Sequence, residues 1–162
     1  MNPKSLTEID SALAETVDRK MAAIEARLVD VVGSNHPPVA AASNYLLMAG
    51  GKRFRPTLTV LASQFGDPNA PGITTAAVVI ELTHLATLYH DDVIDDAIVR
   101  RGRHSANKEF GNSVAILTGD FLFARASALL AELGPEAVRF QAKTFERMVT
   151  GQIMEISGAP DD

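Results

Sequence analysis

Residues 84–95 read HLATLYHDDVID, an apolar helical pattern that ends in three aspartates. His84, Leu88, Asp91 and Asp95 are spaced four, three and four residues apart, so on an α-helix they share one narrow stripe. Asp91 and Asp95 are therefore placed to hold hard divalent cations, while Asp92 lies one step aside. Taken alone, the pattern suits a solvated acidic helix end as well as it suits a metal site.

Two groups of cations accompany the aspartates. Residues 100–103 read Arg-Arg-Gly-Arg, and residues 50–55 read Gly-Gly-Lys-Arg-Phe-Arg, just before a proline suited to the first turn of a helix. The glycine break would let backbone amides approach an anion. Alternatively, either basic group by itself could consist of surface cations that balance the charge of the aspartates. That interpretation does not explain well why glycines and a proline flank the group at 50–55. Together with the aspartates, the two groups predict a site for diphosphates carried on Mg2+.

Two polar side chains interrupt apolar stripes. His84 could be a buried histidine with a structural hydrogen-bond partner, or it could donate a hydrogen bond to a phosphate oxygen. Gln152 interrupts the apolar face of the last helix, where it suits either a hydrogen bond between helices or a contact with a ligand.

Composition limits the class of protein. The 162 residues hold 15 Lys and Arg against 20 Asp and Glu, a net charge of -5, which argues against a nucleic-acid partner. There is no cysteine, so disulfides and thiolate metal sites are excluded, and a reducing cytoplasm is compatible. The most apolar stretch, residues 74–89, contains Glu81 and His84 and predicts a buried helix, with no membrane span.

Helical periodicity runs through the whole chain. It predicts a long first helix that ends near Gly33, a second that ends at Met48, and further helices over about 56–65, 73–95, 112–133 and 135–157. Residues 102–110 read as a loop or short helix, and no stretch alternates as a strand would. We therefore expect an all-α fold in which residues 1–162 form one helical unit.

The sequence resembles the trans-isoprenyl diphosphate synthases, the polyprenyl synthetase family. The matching strings are GGKRFRP at 50–56, the run from His84 to Gly102, FGN at 110–112, TGDF at 118–121 and GQ at 151–152. The resemblance implies a helical isoprenoid synthase fold, usually homodimeric. It also implies Mg2+-dependent condensation of an allylic diphosphate with isopentenyl diphosphate.

The resemblance assigns roles to individual residues. By position, isopentenyl diphosphate would be bound by Lys52, Arg55, His84 and Arg101. Asp91 and Asp95 would bind Mg2+, and Arg100 would bind the allylic diphosphate. In this family a bulky residue four or five positions before the first aspartate stops chain growth, so the small Ala86 and Thr87 predict products beyond the fifteen-carbon class, unless another helix supplies the plug.

Family members are about twice as long, and the second aspartate-rich motif has no counterpart here. We therefore expect an N-terminal portion that exposes inner helix faces, self-associates and is inactive alone. Two alternatives are a non-catalytic subunit of a heteromeric synthase, which need not keep both charged motifs, and a terpene cyclase, which would not need the Lys52 to Arg55 group.

Overall fold

The structure, a computed structural model, describes the backbone of residues 3–158 and the side chains of residues 11–158. Seven helices dominate this part of the chain: α1 (Pro3–Val32), α2 (Pro37–Met48), α3 (Phe54–Ser63), α4 (Ile73–Ile94), α5 (Ala106–Phe110), α6 (Asn112–Glu132) and α7 (Pro135–Ser157). The all-α expectation is confirmed, and helix ends fall within a few residues of the predicted positions. Helical periodicity also predicts that Leu6 and Ile9 lie on the apolar face of the first helix, but their side chains lie outside the described residues.

Helix α4 is the centre of the bundle. It packs most extensively on α6 and also contacts α3 and α1. Its buried face includes Val78, Leu82 and Leu85, which meet Leu122 of α6 and Leu28 of α1 in one apolar core. Because α4 is covered on several sides, its position is fixed, and so are the charged groups along it.

Tyr89 fastens α4 to α2. Its buried hydroxyl donates to the carbonyl of Ala42 at 2.5 Å and accepts from the backbone N–H of Leu46 at 3.2 Å. Burial raises the pKa of Tyr89 to about 12, so the hydroxyl stays protonated as the donor.

The prediction that the chain has no strand is wrong at one place. Val99–Arg100 (β1) and Arg103–His104 (β2) form an antiparallel hairpin with the pairs Val99↔His104 and Arg100↔Arg103. Arg101 and Gly102 form its two-residue turn with φ of 51° and 77°, as a tight hairpin requires. Strands of two residues are too short to show alternation.

Two helices have weakly buried faces. No described side chain of α7 is buried, and α7 lies beside α4 and α6 with cavities between them. Helix α6 is long and apolar enough to cross a membrane by length and composition. Its buried residues, however, pack against α4 as the core of a helical bundle does.

Candidate diphosphate site

The acidic end of α4 presents two carboxylates. Asp91 is half-buried and Asp95 is exposed at the C-cap, where its N–H donates to the carbonyl of Asp91 at 2.8 Å. Among the described residues, neither carboxylate has a hydrogen bond or ion pair. Burial raises the pKa of Asp91, and the neighbouring charge of Asp95 raises it further. A pair of close, unpartnered carboxylates is a favourable place for a cation.

Asp92 has a different role. It is fully buried, and its two oxygens accept from Nε of Arg100 at 2.6 Å and from the N–H of Ala106 at 3.0 Å. These bonds connect α4 to the hairpin and to the start of α5. Asp92 therefore holds the hairpin in place, and both of its oxygens are engaged there and not beside Asp91 and Asp95. The bond to Nε also orients Arg100, whose two terminal nitrogens have no partner among the described residues.

The basic segment at 50–55 divides into inward and outward cations. Gly50 and Gly51 have φ of 89° and 141°, and Arg53 caps α3 with φ of 45°. Its guanidinium turns inward and pairs with Glu25 at 2.5 Å and with the buried Glu81 at 3.3 Å. Lys52 and Arg55, by contrast, are exposed, and the described residues offer neither side chain an ion pair or hydrogen bond. These two cations are the ones available to an anion.

Arg101 is mostly committed within the protein. Its Nη1 donates to the carbonyls of Leu46, at 2.7 Å, and Gly50, and its Nη2 lies 4.0 Å from Glu81. Burial lowers its pKa, and the nearby charge of Arg53 lowers it further. A diphosphate-binding role for Arg101 therefore stays a prediction, limited to the donors that these contacts leave over.

His84 and Arg55 line the same cavity of about 440 Å³ between α3, α4, α6 and α7. Burial lowers the pKa of His84 to about 4, and the positive charges of Arg55 and Arg101 contribute. The imidazole is therefore neutral near pH 7 and keeps one N–H for donation. The mostly apolar lining of this cavity includes Thr83 and Gln141, whose side chains are joined by a hydrogen bond of 2.9 Å across from α7 to α4.

A second cavity of about 280 Å³ begins at Asp91. Thr87 lies on its wall, as predicted for a residue below the aspartates, and Gln152 of α7 lies on the opposite wall. Phe123 and Phe145 also line it, with ring centroids 4.8 Å apart.

Ala86 does not reach this cavity. It is fully buried, and its carbonyl faces Gly119 of α6, where an added Cβ would lie 3.1 Å from the oxygen. The predicted chain-length role of Ala86 is therefore not supported by its position, because one helical step turns it into the α4–α6 contact.

Sequence reasoning missed Glu81 and the inward turn of Arg53. Glu81 precedes His84 by three residues and so extends the stripe that runs to Asp95. That spacing was the available signal. No signal in the sequence distinguishes Arg53 from Lys52 and Arg55, because the direction of each side chain depends on the left-handed backbone at residue 53.

The candidate ligands at the end of α4 are of the type that Mg2+ prefers, but they are too few to complete its coordination. Asp91 and Asp95 supply hard oxygen ligands, but across the described residues no three His, Cys, Asp or Glu side chains come together at one point. Diphosphate oxygens or further carboxylates would have to complete the coordination.

The all-α bundle, with Asp91 and Asp95 at the end of its central helix and His84 and Arg55 lining one cavity, has the isoprenoid synthase fold. The polyprenyl synthetase family model matches residues 36–162, and the chain belongs to that family. A nonaprenyl diphosphate synthase from Mycobacterium tuberculosis is 59% identical over 119 residues, which cover 73% of this chain and 36% of that protein. Component 2 of the heptaprenyl diphosphate synthase from Geobacillus stearothermophilus is 44% identical over 84% of this chain and 43% of its own.

Solved structures agree with the fold. A polyprenyl synthase from Caulobacter crescentus, complexed with calcium and isoprenyl diphosphate, superposes with a TM-score of 0.85 at 32% identity over 92% of this chain and 46% of its own. A geranylgeranyl pyrophosphate synthase from Corynebacterium glutamicum gives 0.78 at 42% identity over 99% and 46%. The chain thus spans less than half the length of each of these relatives.

Proposed function

We propose that the protein carrying this chain condenses an allylic diphosphate with isopentenyl diphosphate, giving a longer trans polyprenyl diphosphate and pyrophosphate. The observation that carries the proposal is the separation of an acidic group at the end of α4 from a basic group in the segment at 50–55. The unpartnered Asp91 and Asp95 lie at the end of α4, and Arg55 lines one cavity with His84, with Lys52 three residues before Arg55 in the same exposed segment. Two separate groups suit two diphosphate substrates, whereas a terpene cyclase would need only one.

Each residue has a physical role in this proposal. Lys52, Arg55 and the N–H of His84 hold isopentenyl diphosphate, with Arg101 behind them. Arg100 stabilises the negative charge that develops on the pyrophosphate as it leaves the allylic substrate. Mg2+, when bound at Asp91 and Asp95, would supply Lewis-acid stabilisation of the same charge. The carbocation is then captured by the double bond of isopentenyl diphosphate, and the released pyrophosphate takes the proton that the condensed cation loses, so no protein nucleophile is required.

The chain by itself supplies one acidic wall, and we expect it to be inactive alone because two carboxylates do not complete a metal site. A second candidate is a non-catalytic subunit of a heteromeric synthase. The similarity to component 2 of a heptaprenyl diphosphate synthase supports the heteromeric assembly and leaves the catalytic role of the subunit to the test. Binding of isopentenyl diphosphate that is lost in Lys52→Ala supports the transferase. No such binding would favour the subunit or the cyclase.

The cavity below Asp91 is proposed to take the growing prenyl chain. Thr87 is small for a wall residue at this place, which favours products beyond fifteen carbons. The 59% identity to a nonaprenyl diphosphate synthase supports this proposal. The rings of Phe123 and Phe145 lie in the same cavity and would have to separate to admit a long chain.

We further propose self-association, as a homodimer, through the outer face of α2 and α6. A shallow apolar cavity of about 390 Å³ there is lined by Val39, Val114, Leu117 and Phe121, and Leu117 is 66% exposed. Sedimentation should show a dimer that Leu117→Glu dissociates, and a monomeric wild-type chain would refute the proposal. The absence of cysteine supports a cytoplasmic location.

A chimera tests the activity. The 119 residues of this chain that align with the M. tuberculosis relative replace the matching segment of that protein, and prenyl transfer is measured with radiolabelled isopentenyl diphosphate. We expect an active chimera that Asp91→Asn reduces by about a hundredfold or more, as for loss of a group that stabilises transition-state charge. Asp96→Asn, a change at an exposed carboxylate just past the end of α4, is the matched control. A folded but inactive chimera would refute the proposal that this chain supplies a functional part of the active site.

A further inference from the structure

Glu81 is a buried carboxylate that the proposed roles leave unused. Its side chain is 3% exposed, and its Oε1 lies 3.3 Å from Nη1 of Arg53 and 4.0 Å from Nη2 of Arg101. Burial raises its pKa, while the positive charges of Arg53 and Arg101 act in the opposite direction. A carboxylate this deep is stable in its charged form only because cations face it.

The two arginines come from segments that are 48 residues apart in the chain. Arg53 begins α3 and Arg101 lies in the hairpin turn, and both have left-handed backbones with φ of 45° and 51°. Such conformations are unfavourable for non-glycine residues and persist where the surroundings enforce them. Glu81 is the anion that faces both guanidiniums, so it reduces their mutual repulsion.

Both arginines also bind the end of α2. Arg53 donates to the carbonyl of Leu47 at 3.1 Å and to that of Gly50 at 3.3 Å, and Arg101 also donates to the carbonyl of Gly50. An added Cβ at Gly51 would lie 3.1 Å from Cζ of Arg101, so the loop passes directly over that guanidinium. The shape of the 50–55 segment therefore depends on where these two side chains are held.

Lys52 and Arg55 flank Arg53, and His84 lies one helical turn from Glu81 on the same stripe of α4. We propose that Glu81 is a positioning residue for the diphosphate site: by holding Arg53 and Arg101, it fixes the basic segment and the hairpin turn so that Lys52, Arg55 and His84 face one ligand. This inference rests on the proposed function for the identity of that ligand, isopentenyl diphosphate.

The test compares Glu81→Gln with Glu25→Gln in the 162-residue chain. Glu25 also pairs with Arg53 but is 41% exposed, and within residues 11–158 no second cation pairs with it, which makes it the matched control. Calorimetry measures binding of isopentenyl diphosphate and, separately, of geranyl diphosphate with Mg2+ at the acidic end. We expect Glu81→Gln to weaken binding of isopentenyl diphosphate about tenfold and binding of geranyl diphosphate less than about twofold. Glu25→Gln should change the binding of either ligand by less than about threefold.

Equal weakening of both ligands would indicate general destabilisation and overturn the positioning role, as would unchanged binding of isopentenyl diphosphate. If Glu81→Gln does not unfold cooperatively, Glu81→Asp takes its place. It keeps the charge but withdraws it by one methylene, and the same selective loss is expected.

Hydrogen exchange separates this inference from the proposed function. If Glu81 positions the two segments, Glu81→Gln should speed amide exchange in residues 50–55 and 101–104 together, and Glu25→Gln should not affect 101–104. A wild-type chain that does not bind isopentenyl diphosphate refutes the ligand, whereas unchanged exchange in Glu81→Gln refutes the positioning itself.

Discussion

Arg100 donates from Nε to Oδ1 of the fully buried Asp92 at 2.6 Å. This bond separates three nearby aspartates into two kinds. Asp92 is committed to the hairpin, and Asp91 and Asp95 keep their oxygens available.

Asp92→Asn should lower the free energy of unfolding by about 2 kcal/mol, because a charge-assisted hydrogen bond is lost and an amide N–H₂ faces donors. Urea denaturation measures this change. Asp96→Asn is the control, since Asp96 is 81% exposed and its pair with Lys108 at 2.7 Å should contribute less than about 0.5 kcal/mol. Equal effects of the two substitutions would contradict the assignment of Asp92.

Gly119→Ala should destabilise the α4–α6 contact. An added Cβ would lie 2.4 Å from Nε2 of His90, which is itself held 3.1 Å from the carbonyl of Ile116. We expect a loss of about 1–2 kcal/mol in the free energy of unfolding, since overpacking exceeds the gain in helix propensity.

Gly151→Ala is the matched control for that change. Gly151 also lies within a helix, but an added Cβ there would meet nothing within 4 Å. It should stabilise the chain by about 0.5–1 kcal/mol, and a stabilising Gly119→Ala would show that the contact is looser than described.

His84 should make stability depend on pH below neutrality. Its pKa is lowered from 6.5 to about 4 in the folded chain, so folding disfavours its protonation. Its contribution to stability is therefore complete above pH 6.5 and falls as pH drops towards 4. Glu81 has a raised pKa, so its contribution to stability changes with pH in the opposite direction. Glu81 is present in both the wild type and His84→Gln, so the difference in unfolding free energy between the two at each pH removes its contribution.

We expect the unfolding free energy of the wild type relative to His84→Gln to fall steadily between pH 6.5 and 4. An NMR titration should find one histidine resonance that moves near pH 4 and is absent from His84→Gln. A pKa near 6.5 for His84 would contradict its half-buried position beside Arg55.

Mg2+ and pyrophosphate together should raise the melting temperature more than either alone, because the anion supplies oxygens that Asp91 and Asp95 lack. At about ten times the dissociation constant, the stabilisation should be about 1.4 kcal/mol. Asp91→Asn should abolish the effect of the pair, and Asp96→Asn should keep it. Stabilisation that survives Asp91→Asn would place the metal elsewhere.

The sequence predicted the parts of the site that depend on helical spacing. His84, Asp91 and Asp95 share a stripe because 100° per residue fixes their directions once α4 forms, and the apolar run around them ensures that it forms. Thr87 follows from the same geometry. Ala86 was misplaced because the prediction used its distance from Asp91 without its direction.

Other parts depend on contacts between distant segments, which no local pattern contains. Arg53 and Arg101 turn inward because Glu81 and the carbonyls at the end of α2 lie there. The sequence showed two groups of interchangeable cations, and tertiary structure selected the ones that stay available. The weak packing of α7 agrees with the expected exposure of inner helix faces, but the sequence did not single out α7, because its amphipathic pattern predicts an apolar face and not what covers it.

The hairpin turn of Arg101 and Gly102 constrains how this region can vary in length. Arg100 bonds to Asp92 of α4, and Arg101 bonds to the carbonyl of Leu46 near the end of α2. The length of the two-residue turn therefore determines which of the two arginines faces α4 and which faces α2. Inserting or deleting a single residue would exchange or misdirect them. The loop at residues 64–72 makes no such assignment, so we expect length variation to be tolerated there and excluded from the hairpin.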